Sequence, residues 1–188
     1  MRRAPRRRGY GGRVKPRLVT SVSALALVAA MTTGCLPQPS PEPTPAFASE
    51  EEAFAAAEAT YRAYVDALNE VDLSDPETFE GVYAWTTGDA NANERQTLSQ
   101  MHADGWTVTG TTKIDLFDGR EFDAKSSHVV AIVCSNVAEI EVVDSTGASM
   151  VGADRPDVYA LEVRLVPSGT STGLSIERSN AIEDKACN

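Results

Sequence analysis

The chain has 188 residues, 42% hydrophobic and 23% charged, a composition that excludes collagen-like and wholly disordered chains and leaves room for one domain, two at most. Its net charge of -10 is unevenly split: residues 1–34 carry eight Lys or Arg and no acid, so residues 35–188 hold nine basic side chains against 27 acidic ones, a net of -18. A body this acidic excludes binding to a nucleic-acid phosphate backbone, where each contact calls for Lys or Arg.

The basic stretch ending at Arg17 is followed by LVTSVSALALVAA at 18–30, an uncharged apolar run of 13 residues. That is shorter than the ~20 residues needed to cross a bilayer, and a basic segment, a short apolar run and small residues in that order form the layout of a signal peptide. Met31-Thr32-Thr33-Gly34-Cys35 comes next. These residues resemble the lipobox of bacterial lipoproteins, in which a small residue precedes a Cys that is lipidated and becomes the first residue of the mature chain. Gly34 and Cys35 match that pattern, and Thr32 stands where the family usually has Leu. The resemblance implies a signal peptide over 1–34 and a Cys35 thioether carrying acyl chains such as palmitate, for which the thiolate is the suitable nucleophile. An ordinary cleaved signal peptide, or a short uncleaved anchor, is the plainer alternative.

Residues 36–49, LPQPSPEPTPAFAS, contain five Pro, which favours extended polyproline II and excludes helix and paired sheet. Residues 35–48 thus read as lipidated Cys plus tether. Fully extended at ~3.1 Å per residue, the tether holds a domain on the order of 40 Å from the membrane. The expected location is the cell membrane, lipid-anchored and facing the extracytoplasmic side. With Cys35 assigned to lipid, Cys134 and Cys187 remain, an even pair in an oxidising compartment, and they are expected to form a disulfide. Closing a loop of that size stabilises by about 4 kcal/mol on the chain-entropy account.

A single domain is expected over 49–188. Ser49 followed by Glu52 is a capping box, and Phe54, Ala57, Tyr61, Tyr64 or Val65, and Leu68 give one apolar face to a first helix. Ser74-Asp75-Pro76-Glu77 opens a second helix carrying Phe79, Val82 and Tyr83, ended by Gly88, and a third runs from about Ala92 to Ala103 with Leu98 and Met101 to bury. From Trp106 the period becomes two. Trp106, Val108, Thr112, Ile114 and Leu116 read as one strand and Asp118-Gly119 as a hairpin turn. His128–Val143 reads as a long strand bent near Asn136, followed by strands over Tyr159–Leu165 and Leu174–Ile182. Helices first and strands after them argue for an α+β domain, the N-terminal helices packed on a curved antiparallel sheet. This layout, over residues 49–182, resembles the nuclear-transport-factor-2-like (NTF2-like) and ketosteroid-isomerase-like superfamily. It departs in having no room for a strand pair between the second and third helices, so a cystatin-like helix-on-sheet arrangement stays open.

Candidate chemistry is sparse. Only His102 and His128 are present, no GxSxG elbow places a nucleophile, and with both thiols in a disulfide no metal or cofactor is expected. The acidic run Asp115–Asp123 lacks the spacing of a calcium loop and reads as a polar hairpin. The superfamily resemblance implies a pocket, which Tyr61, Tyr64, Trp85 and Trp106 would line, and an isomerase-like enzyme would need a base carboxylate in it. No strand offers one, because Glu139 and Glu141 alternate with Ile140 and Val142 and face solvent. The expectation is a noncatalytic binding or envelope-accessory module whose partner is an envelope protein or a small hydrophobic ligand; the alternative is an isomerase or hydrolase acting on such a molecule. Cys35→Ala should move the protein from the membrane fraction to the soluble fraction on cell fractionation, and retention in membranes would contradict lipidation.

Overall fold

A computed structural model describes residues 46–187; the signal segment, Cys35 and the tether as far as Pro45 lie outside the described residues. The first helix, α1, spans Glu50–Asn69, and its N-cap Ser49 accepts a hydrogen bond from the Glu52 backbone N–H at 3.1 Å. The Glu52 carboxylate reaches back to the Ala48 N–H at 2.9 Å, so the expected box closes one residue early. Ala53, Ala57, Thr60, Tyr61 and Val65 are its buried residues. The small ones set how near the helix axis comes to whatever lies beneath it.

Beneath it lies a four-stranded antiparallel sheet of β2 (Lys113–Asp123), β3 (His128–Asn136), β5 (Val158–Pro167) and β6 (Leu174–Ile182), in spatial order β2-β3-β5-β6. The register aligns Phe117 with Val133 and Val133 with Leu161, and Val129 with Leu165, so one face of the sheet is a continuous apolar surface. Val129, Val133, Val163, Leu165, Leu174 and Ile176 pack there with the buried side of α1. The last two strands and the α+β layering are as the periodicity indicates.

Asp118-Gly119 is not a hairpin turn but a bulged stretch inside β2. A β-carbon on Gly119 would overlap the Phe54 ring, so the glycine serves the approach of α1 to the sheet. The turn falls instead between Asp123 and His128, where the Asp123 carboxylate accepts from the Lys125 N–H at 2.9 Å and the Ser126 hydroxyl at 2.7 Å. The acidic run is therefore strand, neither calcium loop nor hairpin. The expected strand from Trp106 is also split, into β1 (Thr107–Thr109) and β2, at Gly110, whose φ of 88° and whose contact with the Glu139 carbonyl admit no side chain. The expected long strand ends at Asn136, and β4 (Glu141–Val143) pairs with β1 in a separate two-stranded sheet.

Between α1 and the strands, a short 3-10 turn at Pro76–Thr78, capped by Asp75, leads into α2 (Phe79–Tyr83). Gly88 does not end this helix; it begins α3 (Gly88–Ala103), four residues ahead of the expected start. Thr86 makes a parallel bridge to Ile176 on the β6 edge. Phe79, Val82, Tyr83 and Leu98 form a second apolar cluster with Leu73, and Tyr64 packs against both clusters.

Cys134 points to the sheet face opposite α1, as alternation from the buried Val133 requires. There the structure joins it to Cys187 of a terminal 3-10 turn, Lys185–Cys187, with the α-carbons 5.3 Å apart. Because Gly119 sits under Phe54, Gly119→Ala should lower the urea-unfolding free energy by about 1–3 kcal/mol. Gly169→Ala, where an added β-carbon meets nothing within 4 Å, should change it by less than ~0.5 kcal/mol. Equal effects would contradict the close-approach account.

Candidate functional site

Helix α3 has few large apolar residues, and its inward stripe reads Ala90, Glu94, Leu98 and Met101, spaced four, four and three. Ala90 and Leu98 are buried and Met101 packs on the second cluster. A carboxylate within that stripe is carried inward by its neighbours whatever its own solvation preference.

Glu94 reaches a cleft of about 280 Å³ whose walls include Leu68, Val71, Leu98, Met101, Val137 and Val142. The end of α1, the middle of α3, the β1–β2 connection and the segment through β4 each supply a side. Asn69 ties two of these together: its amide donates to the Thr112 carbonyl at 3.0 Å while its oxygen accepts from the Thr112 N–H at 2.8 Å. On another side the Arg155 guanidinium donates to the carbonyls of Val137 and Ile140, at 2.9 and 3.1 Å, bracing their turn.

The Tyr64 hydroxyl donates to Glu94 Oε1 at 2.5 Å. Burial pushes the Glu94 carboxyl above the ordinary glutamate range, and the hydrogen bond from Tyr64 opposes that shift only in part. Tyr64 is held well above the ordinary tyrosine value, first by burial and then by the Glu94 charge. Tyr61 is raised for the same two reasons in the same order. Arg95, next in sequence, does not neutralise Glu94: it lies over the Tyr83 ring at 3.8 Å, donates to Asn91 and faces Glu80 at 3.7 Å. Among the described residues Glu94 forms no ion pair.

The four aromatic residues expected to share a pocket do not do so. Tyr61 is 2% exposed and packs between Tyr64 and Phe117 in the core, and Tyr64 meets the cleft through Glu94. Trp85 lines a separate depression with Gly81, Ser168, Thr170 and Ser175, and Trp106 another with Asp72, Leu73 and His102. The titratable groups of the second depression are already engaged. His102 Nδ1, facing a carbonyl that only accepts, donates to Leu73 O at 2.6 Å, and the Asp72 carboxylate accepts from Ser74. His128 Nδ1 accepts from Arg164 at 2.8 Å on the sheet. Glu139 and Glu141 are exposed, and Glu139 pairs with Lys113. Among the described residues no group of three or more His, Cys, Asp or Glu is placed to hold a metal ion, and no helix is long and apolar enough to cross a membrane. Glu94 is the residue that the sequence reading misses, because the carboxylate is sought on strands; the signal lies in the spacing of Glu94, Leu98 and Met101.

The described residues are thus an α+β domain with helices on one face of an antiparallel sheet and a small apolar cleft built around one carboxylate. No protein-family model matches the sequence, and no curated protein matches it. Among solved structures, the intermembrane-space region of the chloroplast protein ARC6 is similar at a TM-score of 0.47 and 12% identity, over 69% of this chain and 96% of that one. VirB8 of Agrobacterium tumefaciens is similar at 0.45 and 12%, over 71% and 94%. Aln2 of a Streptomyces species is similar at 0.42 and 16%, over 71% and 90%. Likeness at this level carries no information about activity.

A carboxyl with a raised value holds its proton more tightly in the folded state than in the unfolded one. Its contribution to stability is full below the ordinary glutamate value and is lost as pH rises through the raised one. Urea titrations of the native protein and Glu94→Gln at about pH 4 and about pH 7 should therefore show the native protein losing ground to the variant as pH rises. A pH-independent difference would mean that Glu94 is not held in an apolar setting.

Proposed function

We propose that this chain is a lipoprotein tethered to the extracytoplasmic face of the cell membrane, whose α+β domain binds a small apolar molecule in the cleft beside Glu94. The cleft carries the reading: apolar on most of its walls, provided with one titratable group, and near the lower limit of the ~300–1,000 Å³ range of small-molecule sites. The lipobox-like Cys35 and the five-proline segment support the anchoring. The Ala46 N–H donates to the Ser127 hydroxyl at 2.9 Å, and Phe47 packs edge-on against Phe122, beside the N-terminus of α1. The cleft lies against the other end of that helix, on the order of 30 Å away at ~1.5 Å per residue. A ligand would enter at the end of the domain remote from Ala46.

Acid–base catalysis on a small hydrophobic substrate is the second reading, and the Tyr64–Glu94 pair favours it, since a carboxyl with a raised value beside an apolar space suits proton transfer. Stabilising an oxyanion would also take donors aimed at the substrate; the Asn69 amide is held by the Thr112 backbone, while the Thr97 hydroxyl on the cleft wall makes no hydrogen bond to a described residue. The mainly apolar walls weigh for binding. Cyclohexylmethanol should produce a saturable shift of the Met101 methyl resonance in the full-length protein in phosphatidylcholine nanodiscs. Thr97→Trp, at an exposed position on the cleft wall, should abolish the shift without lowering Tm. An unshifted Met101 in the native protein with this alcohol and with its amine and carboxylate analogues alike would refute binding in the cleft, and exchange of the α-protons of a bound ketone with deuterated solvent, lost in Glu94→Gln, would turn the reading to catalysis.

A further inference from the structure

The polar groups around the cleft are unequally matched. Tyr64 occupies one oxygen of Glu94, and the other accepts no hydrogen bond from any described residue. Asn69 and Arg155 are engaged by backbone groups, and Arg95 is turned toward Tyr83 and Glu80. The cleft therefore presents a carboxylate with no counter-charge among mainly apolar walls, and such a group is stabilised either by taking up a proton or by receiving a cation.

We infer that the ligand of the cleft is a small apolar amine, its protonated nitrogen on the free oxygen of Glu94 and its hydrocarbon body against Leu68, Val71, Leu98, Met101 and Val142. The inference rests on the binding reading above and adds the chemical class of the ligand. Three considerations of charge carry it. An ammonium brings an opposite charge as well as a hydrogen bond to the carboxylate, whereas an alcohol donates a hydrogen bond and leaves the buried charge uncompensated. A carboxylate ligand would set like charges together in apolar surroundings, which is costly. The domain's field acts in the same direction, because a net charge of -18 over residues 35–188 raises the local concentration of small cations and lowers that of anions. A bound ammonium would also favour the ionised form of Glu94, opposing the effect of burial that raises it.

The test uses three water-soluble compounds of one shape, cyclohexylmethylamine, cyclohexylmethanol and cyclohexanecarboxylate. Each is titrated at about neutral pH and low salt into the full-length protein in phosphatidylcholine nanodiscs, with the Met101 methyl resonance as readout and empty nanodiscs as reference. The amine should bind at least about tenfold more tightly than the alcohol, with the carboxylate weakest. Glu94→Gln should remove the preference for the amine while keeping the alcohol within about threefold of its native affinity. Tyr64→Phe, which leaves both carboxylate oxygens in place, should retain the preference and serves if the Glu94 variant does not fold. Equal binding of amine and alcohol, or a preference surviving in Glu94→Gln, would overturn the amine assignment alone. Failure of all three compounds to shift Met101 would overturn it together with the binding reading.

Discussion

The approach of α1 to the sheet is the constraint on which the rest depends. Phe54 occupies the space that a side chain at residue 119 would need, and Ala53 and Ala57 bring the helix backbone down beside it. This contact decides that β2 bulges without turning at Asp118-Gly119, and hence that the hairpin closes at Asp123–His128. It also sets the height at which the later turns of the same helix lie. Tyr61 is buried against Phe117, and Tyr64, one turn further along the surface, bridges the sheet-side cluster and the cluster around α2 and α3. The position of the Tyr64 hydroxyl is thus inherited from a packing contact ten residues earlier in the helix.

Glu94 shows how a core can hold a titratable group that it does not pair with an opposite charge. The stripe of α3 is anchored by Ala90 and Leu98, so the residue between them is drawn inward by both. Its desolvation is relieved by one hydrogen bond, from Tyr64, and by the partial opening of the cleft. An arrangement optimised for stability alone would place an apolar residue there. A carboxylate beside an apolar space is a feature with a chemical use, whether to hold a cation or to move a proton.

The small sheet and the terminal turn serve different ends. β1 and β4, with the turns around Gly110 and Val137–Ile140, wall the cleft and make few contacts with the main sheet. They are braced by single side chains, Asn69 from α1 and Arg155 from the approach to β5. The Cys134–Cys187 link acts on the opposite face, where it ties the last turn to the central strand β3. Cleft and disulfide are thereby kept on separate sides of the sheet.

Much of this was written locally. Ser49 and Glu52 announce the start of α1, Tyr159 to Leu165 alternate as a strand must, and Leu174–Ile182 is bounded as observed, because caps and periodicity depend on neighbours in the chain. Asp118-Gly119 and Gly110 carry turn chemistry in isolation, yet one lies within a strand and the other divides two sheets, since each answers to a residue far away, Phe54 and Glu139. Gly88 likewise opens a helix where local reasoning closes one. The site divides in the same manner. That Glu94 falls on the buried stripe of α3 can be read from its spacing to Leu98 and Met101, but its lack of a counter-ion cannot, because that depends on where Arg95 and Arg155 turn in three dimensions. The sequence by itself determined most of the elements and the α+β order; only the tertiary structure decided that one carboxylate, one tyrosine hydroxyl and an apolar cleft meet, because that meeting is made by packing between segments distant in the chain.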